Sequence, residues 1–277
     1  MRTSIEQKKE PHFISPRLLE ALGGVMDDAG GKPLVDKGAY LWGVEDREKG
    51  KGLFNHVLLV SRVSNALAQE LKKKAPEQYG SLNMRSVFEV ALLHDVSKLY
   101  AQDRESLSAN EKEGLGLRSD FKETDDETEQ TGADWLKRLG FPEEVLEGVK
   151  DHFPQDIKDD PYWKIGLVAD YMTGQKVMTL AERLDDVKRR WIDERAAQGV
   201  PPRIDPAVFE RSRANIEAVA REVFGALETT DEEFIASHKL NDPKSATRSE
   251  RFLRRTYEQK REARAKGLVR ARIGDSR

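Results

Sequence analysis

The run Phe88-Glu89-Val90-Ala91-Leu92-Leu93-His94-Asp95-Val96-Ser97-Lys98 sets the tightest limit on how this chain can fold. An imidazole and a carboxylate stand side by side at the end of an apolar stretch, where an unpaired charge is costly. The fold must therefore bring a compensating group to them, and a bound cation would serve. The spacing predicts a helix over about 85–99. Val87, Val90, Ala91 and His94 fall on one face by the i, i+3, i+4, i+7 rule, with Asp95 about 100° further round.

The same periodicity recurs along the chain. His56, Val60, Val63, Leu67 and Leu71 form one stripe of a helix over 55–74, which turns His56 toward the core and leaves Asn55 as a candidate cap. Phe141-Pro142-Glu143-Glu144 opens a helix with proline at its first turn, and Val145, Val149 and His152 share its inward face. A further helix over 162–173 runs through Ile165, Leu167 and Val168 to Asp170, and Val177 to Trp191 continue as a long amphipathic helix ending near Gly199. Asp205-Pro206 and Thr230-Asp231-Glu232-Glu233 read as two more helix starts, and Ser15-Pro16 as an N-terminal one followed by Leu18, Leu19 and Leu22. Strand-like alternation, glycine-rich phosphate loops and internal repeats are missing, so the body reads as all-α.

This gives four parts: an arm with a short helix (1–49), a helical domain carrying the His-Asp pair (50–198), C-terminal helices packing on it (199–243) and a basic tail (244–277). Residues 100–131 lose the periodicity and hold the acidic 119–131 stretch, read as a mobile loop beside the site or an unseen short helix. Tyr40-Leu41-Trp42 falls in a glycine- and charge-rich connector. Residues 244–277 carry 12 Lys/Arg against 4 Asp/Glu, a charge of +8, so the rest holds −11 of the overall −3. The plainest form for that segment is a solvated charged helix; folding back on the body, or offering a surface to nucleic acid, are the alternatives. With 35% of residues charged, no apolar run suits a membrane span and the N-terminus lacks a signal core, so the expected location is cytoplasmic. No oligomeric state is specified.

The chain has no cysteine, which excludes disulfides, thiolate catalysis and Cys-held zinc. A metal must be held by His, Asp or Glu, and only five histidines are present. Four helices each present inward polar groups: His56, His94 with Asp95, His152, and Asp170. Imidazole and carboxylate suit Mn²⁺, Fe²⁺, Co²⁺, Ni²⁺ or Zn²⁺, with Mg²⁺ also admitted. Taken singly, His56 or His152 reads as a satisfied core histidine and Asp170 as a partner of Arg183. Asp95 is harder to dismiss, because no arginine lies within one turn.

A His, a His-Asp dyad 38 residues later and an Asp closing an apolar run resemble the HD-domain superfamily of metal-dependent phosphohydrolases, over roughly residues 50–195. The matching pieces are Asn55-His56-Val57, Leu93-His94-Asp95-Val96-Ser97-Lys98 and Leu167-Val168-Ala169-Asp170. The resemblance implies an HD-like helical bundle with a charged C-terminal helical extension, and one divalent transition metal held by His56, His94, Asp95 and Asp170. It also implies hydrolysis of a phosphoester, foremost of a nucleotide or other phosphorylated small molecule, by metal-activated water, with Asp95 and Lys98 as catalytic residues. His152 would complete a second site or orient substrate. The alarmone-hydrolase branch is disfavoured, because Lys98 and Leu99 stand where it carries a Glu-Asp pair. The cyclic-dinucleotide branch is disfavoured by the lack of a Gly-Tyr-Pro triplet and by Thr128 or Glu129 standing where the first extra histidine is expected. A di-iron oxygenase would need more ligands. The alternative from another class is a non-catalytic regulatory or RNA-associated protein using this scaffold and its basic tail.

Overall fold

The computed structural model describes residues 18, 49–95, 133–134, 136–137, 139–150 and 154–265. Their regular elements are helices, and among the described residues the sole β pairing is an isolated antiparallel bridge between Thr173 and Val177. Three helices form the centre: α1 (Lys49–Lys74), α3 (Met84–Leu93) and α5 (Pro161–Tyr171), with the short α2 (Pro76–Tyr79) between the first two and α4 (Glu143–Gly148) packed on both α3 and α5. Val60, Val63, Leu67 and Leu71 of the α1 stripe are all fully buried, and they meet Val87 and Ala91 of α3 and Ile165, Val168 and Ala169 of α5. That burial drives the packing, since each fully buried aliphatic side chain contributes about 1.5–3 kcal/mol.

Local chemistry sets where the helices begin. Asn83 caps α3 by accepting from Arg85 N–H, and Asp160 caps α5 by accepting from Trp163 N–H at 2.7 Å, with Pro161 at the first turn. Capping boxes at Thr179/Glu182 and Thr230/Glu233 start α6 (Leu180–Lys188) and α9 (Asp231–Ser237). Asp205 caps the long α8 (Pro206–Leu227), which packs on α5 and α1. Buried Lys164 of α5 joins Glu222 of α8 at 2.7 Å.

Several sequence expectations are revised. Helix α3 ends at Leu93, so His94 and Asp95 occupy its C-terminal turn instead of its interior. Helix α1 starts at Lys49, so Asn55 lies inside it and accepts from Arg254 instead of capping. The expected long helix from Val177 is broken up. Val177 sits in the bridge, α6 starts after the Thr179 cap, and a π-helical turn at Arg189–Asp193 leads into α7 (Glu194–Ala197). Residues 1–17, 19–48 and 96–132, which include Tyr40-Leu41-Trp42 and the acidic stretch, lie outside the described residues; Leu18 is helical and buried.

The largest revision concerns the basic segment. Its first half is helix α10 (Arg248–Ala265), which docks on α1 with Leu253 fully buried. The anchor is an ion pair inside the protein. Arg62 of α1 donates Nε and Nη2 to the two oxygens of Glu250 at 3.0 and 2.6 Å, and Glu250 has no exposed surface. Folding back therefore wins over solvation, because a buried carboxylate held in a bidentate guanidinium fork cannot be released without leaving a charge behind. Arg62→Leu is expected to lower unfolding free energy by about 2–4 kcal/mol in urea titration, softened because Arg254 still faces Glu250. Lys73→Ala, which removes an exposed pair, should cost about 0.5 kcal/mol or less.

Candidate metal centre

The three central helices bring four polar groups to a single point. His56 comes from the first half of α1, His94 and Asp95 from the turn that ends α3, and Asp170 from the last turn of α5. His94 and Asp95 are buried, and His56 and Asp170 are only 12% and 15% exposed at the side chain. The imidazoles approach through Nε2 atoms 3.2 Å apart, with their rings edge-on. Asp170 Oδ1 lies 3.0 Å from His56 Nε2 and 3.5 Å from His94 Nε2, and the Asp95 oxygens lie 3.6 Å from each nitrogen.

The tautomer of His94 follows from its other nitrogen. Nδ1 is 2.8 Å from Ala91 O, and a carbonyl oxygen can only accept, so the proton sits on Nδ1 and the Nε2 lone pair faces the cluster. Burial pushes the His56 imidazole below its ordinary value, against the opposing pull of the Asp170 hydrogen bond and charge, so His56 tends to the neutral form that binds metals.

The donor set fits a divalent cation. Adjacent ligands on a centre with bonds of about 2.1 Å are separated by about 3.0–3.4 Å, and the separations here span 3.0–3.6 Å. His56, His94 and Asp95 make the compact group, their ligand atoms all within 4.8 Å of one another, and Asp170 joins through its contacts with both imidazoles. The position also suits positive charge, because the C-terminal end of α3 carries the negative pole of the helix dipole. Lys98 and His152, the other two residues expected at the site, lie outside the described residues. Arg183, the alternative partner for Asp170, bonds Asp186 at 3.1 Å.

Comparison with protein-family models now decides the family: residues 53–189 match the HD domain. Residues 53–189 are an HD domain. The match spans α1, α3 and α5, so all four clustered groups fall within it. The chain finds no match among curated proteins or among solved structures.

Two glycines of this HD domain went unread in the sequence. A Cβ at Gly148 would lie 2.6 Å from Val90 Cγ2, and one at Gly166 would lie 3.1 Å from Val90 Cγ1. Val90 thus fits a socket between α4 and α5, one turn before His94, and this fixes the end of α3 against Asp170's helix. Glycine inside a helical pattern costs about 1 kcal/mol relative to alanine, which is the signal that a close packing reason exists. Lys150 was also missed. It lines a small cleft with His94, Gly148, Trp163, Gly166, Leu167 and Asp170, and its Nζ lies 2.6 Å from Glu147.

Loading the cluster should stabilise the fold by mass action. At Mn²⁺ concentrations about a hundredfold above the dissociation constant, the gain of about 2.7 kcal/mol corresponds to a melting-temperature rise of about 5–10 °C. The same addition to His56→Ala should shift the melt by about 1 °C or less in calorimetry.

Proposed function

We propose that the protein is an HD-type phosphohydrolase that cleaves a phosphoester, foremost of a nucleotide, with a water activated at the His56/His94/Asp95/Asp170 cluster. The observation that carries this reading is the convergence of two imidazole Nε2 atoms and two carboxylates from three helices, with donor separations of 3.0–3.6 Å. A divalent cation bound there supplies Lewis acidity toward a phosphoryl oxygen and makes a coordinated water acidic enough to act near neutral pH.

The chain's own residues do the rest. His94 is held in its ligand tautomer by Ala91 O, so its lone pair needs no reorientation during the reaction. Asp95, 2% exposed, is shielded from bulk water, which strengthens its interaction with positive charge. Asp170, more open at 15%, stands on the accessible side, where a carboxylate can accept the proton of an attacking water. Lys150 lines the cleft beside His94 and Asp170, and we assign its ammonium, paired with Glu147 at 2.6 Å, the offsetting of charge on a substrate phosphate. Lys98, one turn beyond His94 in sequence, is assigned the same task, and His152 the orientation of substrate or a second cation.

The alternative, a non-catalytic RNA-associated protein using residues 244–277 as its contact surface, separates from this reading in one assay. With Mn²⁺, wild type should release phosphate from a panel of nucleotides and p-nitrophenyl esters. Asp95→Ala should lower the rate by about a hundredfold or more at unchanged secondary structure. Salt-sensitive RNA binding with no release, insensitive to Asp95→Ala, would favour the alternative.

A further inference from the structure

Three arginines meet on the face of α1 beside the one that carries His56. Arg62, 5% exposed, holds Glu250 and donates Nη1 to Leu240 O at 2.7 Å. Arg254, one turn beyond Glu250, sets Nε and Nη2 each 3.1 Å from the same Glu250 oxygen and donates Nη1 to Asn55 Oδ1 at 2.8 Å. Arg251 is exposed and donates to Ala246 O. Two guanidinium groups, those of Arg62 and Arg254, thus share the single buried carboxylate of Glu250, Arg251 lines the same groove without touching that carboxylate, and the nearby Asp242 carboxylate accepts from Lys244 N–H.

These arginines line a groove of about 310 Å³ together with Asn55, Gln175 and Asn241. Among the described residues that line it there is no Asp or Glu. The Asn241 amide is occupied by Val177, 2.8 Å at both ends, whereas Asn55 receives Arg254 on Oδ1 and keeps its NH₂ as a donor. The groove therefore offers an excess of donors and of positive charge, the chemistry that recognises a phosphate group. Chain connectivity links it to the metal centre. Asn55 directly precedes His56, and Gln175 lies in the turn that follows Asp170's helix. Groove and cluster share α1, and the segment that follows α5 reaches the groove at Gln175.

We propose that this groove is a phosphate-binding subsite, completed by α10 from outside the HD domain, which holds a second phosphate group of a substrate whose scissile phosphate lies at the His56/His94/Asp95/Asp170 cluster. The proposal rests on the phosphohydrolase reading and narrows it to substrates with two or more phosphates. Arg254 is pre-organised by Glu250 and Asn55, so anchoring a phosphate there sacrifices little side-chain freedom. Arg251, held at one nitrogen, has further N–H groups to offer. The groove's size is at the lower end of small-molecule sites, which run from about 300 to 1,000 Å³, and suits a phosphate with its immediate linkage.

The test is calorimetric titration of the metal-free full chain with inorganic pyrophosphate. Wild type should bind. Arg251→Glu and Arg251→Gln, at an exposed position apart from the buried Glu250 pairs, should weaken binding by about tenfold or more with an unchanged thermal melt. Asp95→Asn, which alters the cluster alone, should bind pyrophosphate as wild type does. Absent binding in wild type, binding indifferent to both Arg251 variants, or binding lost only in Asp95→Asn would overturn the subsite. A single-stranded RNA oligonucleotide that displaces pyrophosphate and binds more tightly would also overturn it, assigning the groove to nucleic acid. Failure of the phosphohydrolase reading looks different: phosphate release independent of Asp95, with pyrophosphate binding at the arginines intact.

Discussion

The 3.2 Å approach of His56 Nε2 to His94 Nε2 is the contact on which the rest of the structure depends. Two imidazole nitrogens at that distance cannot both carry protons, and the Ala91 carbonyl has already assigned the His94 proton to Nδ1. A lone pair therefore faces a point that two carboxylates also face, from opposite helices, with little solvent to screen them. Such an assembly is costly in an apolar junction unless something positive lies at its centre. The packing of α1, α3 and α5 is the frame that keeps those donors in register, and Val90 seated against Gly148 and Gly166 removes the slack at the end of α3.

Ending α3 at Leu93 has a consequence that a continuous helix would lack. Donors in a terminal turn sit at the negative pole of the helix, so backbone and side chains favour a cation together. The neighbouring arginine groove has the opposite character. The guanidinium groups of Arg62 and Arg254 are fixed by a buried carboxylate on α10, which makes the C-terminal helix a structural partner of the domain and not an appended charge. Positive and negative sites thus lie next to each other on one helix, α1, a layout suited to a ligand that is itself anionic at more than one position.

Much of this was legible in the sequence, for identifiable reasons. The stripe from His56 to Leu71 and the i, i+7 relation of Val87 to His94 are set by the 3.6-residue repeat, and burial follows the same repeat, so the inward residues of α1 and α3 could be read directly. Capping at Thr230 and Asp205 is encoded within three residues and was equally plain. What stayed hidden depends on partners far away in the chain. Asn55 looked like a cap because nothing local announces Arg254, 199 residues on, as its partner. The docking of α10 rests on Arg62 and Glu250, separated by 188 residues, and two ordinary charged residues carry no sign of mutual burial. The end of α3 at Leu93 was missed because apolar periodicity continues through Val96 and Leu99, and no glycine or proline interrupts it.

The central claim is that four donors on three helices hold one divalent cation, and counting that cation tests it most directly. The measurement is metal content per chain by mass spectrometry, on wild type and on Asp95→Ala purified without chelator and incubated with Mn²⁺, Co²⁺ or Ni²⁺. The account predicts about one metal per wild-type chain and a small fraction of that in the variant. Negligible metal in both proteins after incubation would contradict it, as would full occupancy that survives the loss of Asp95.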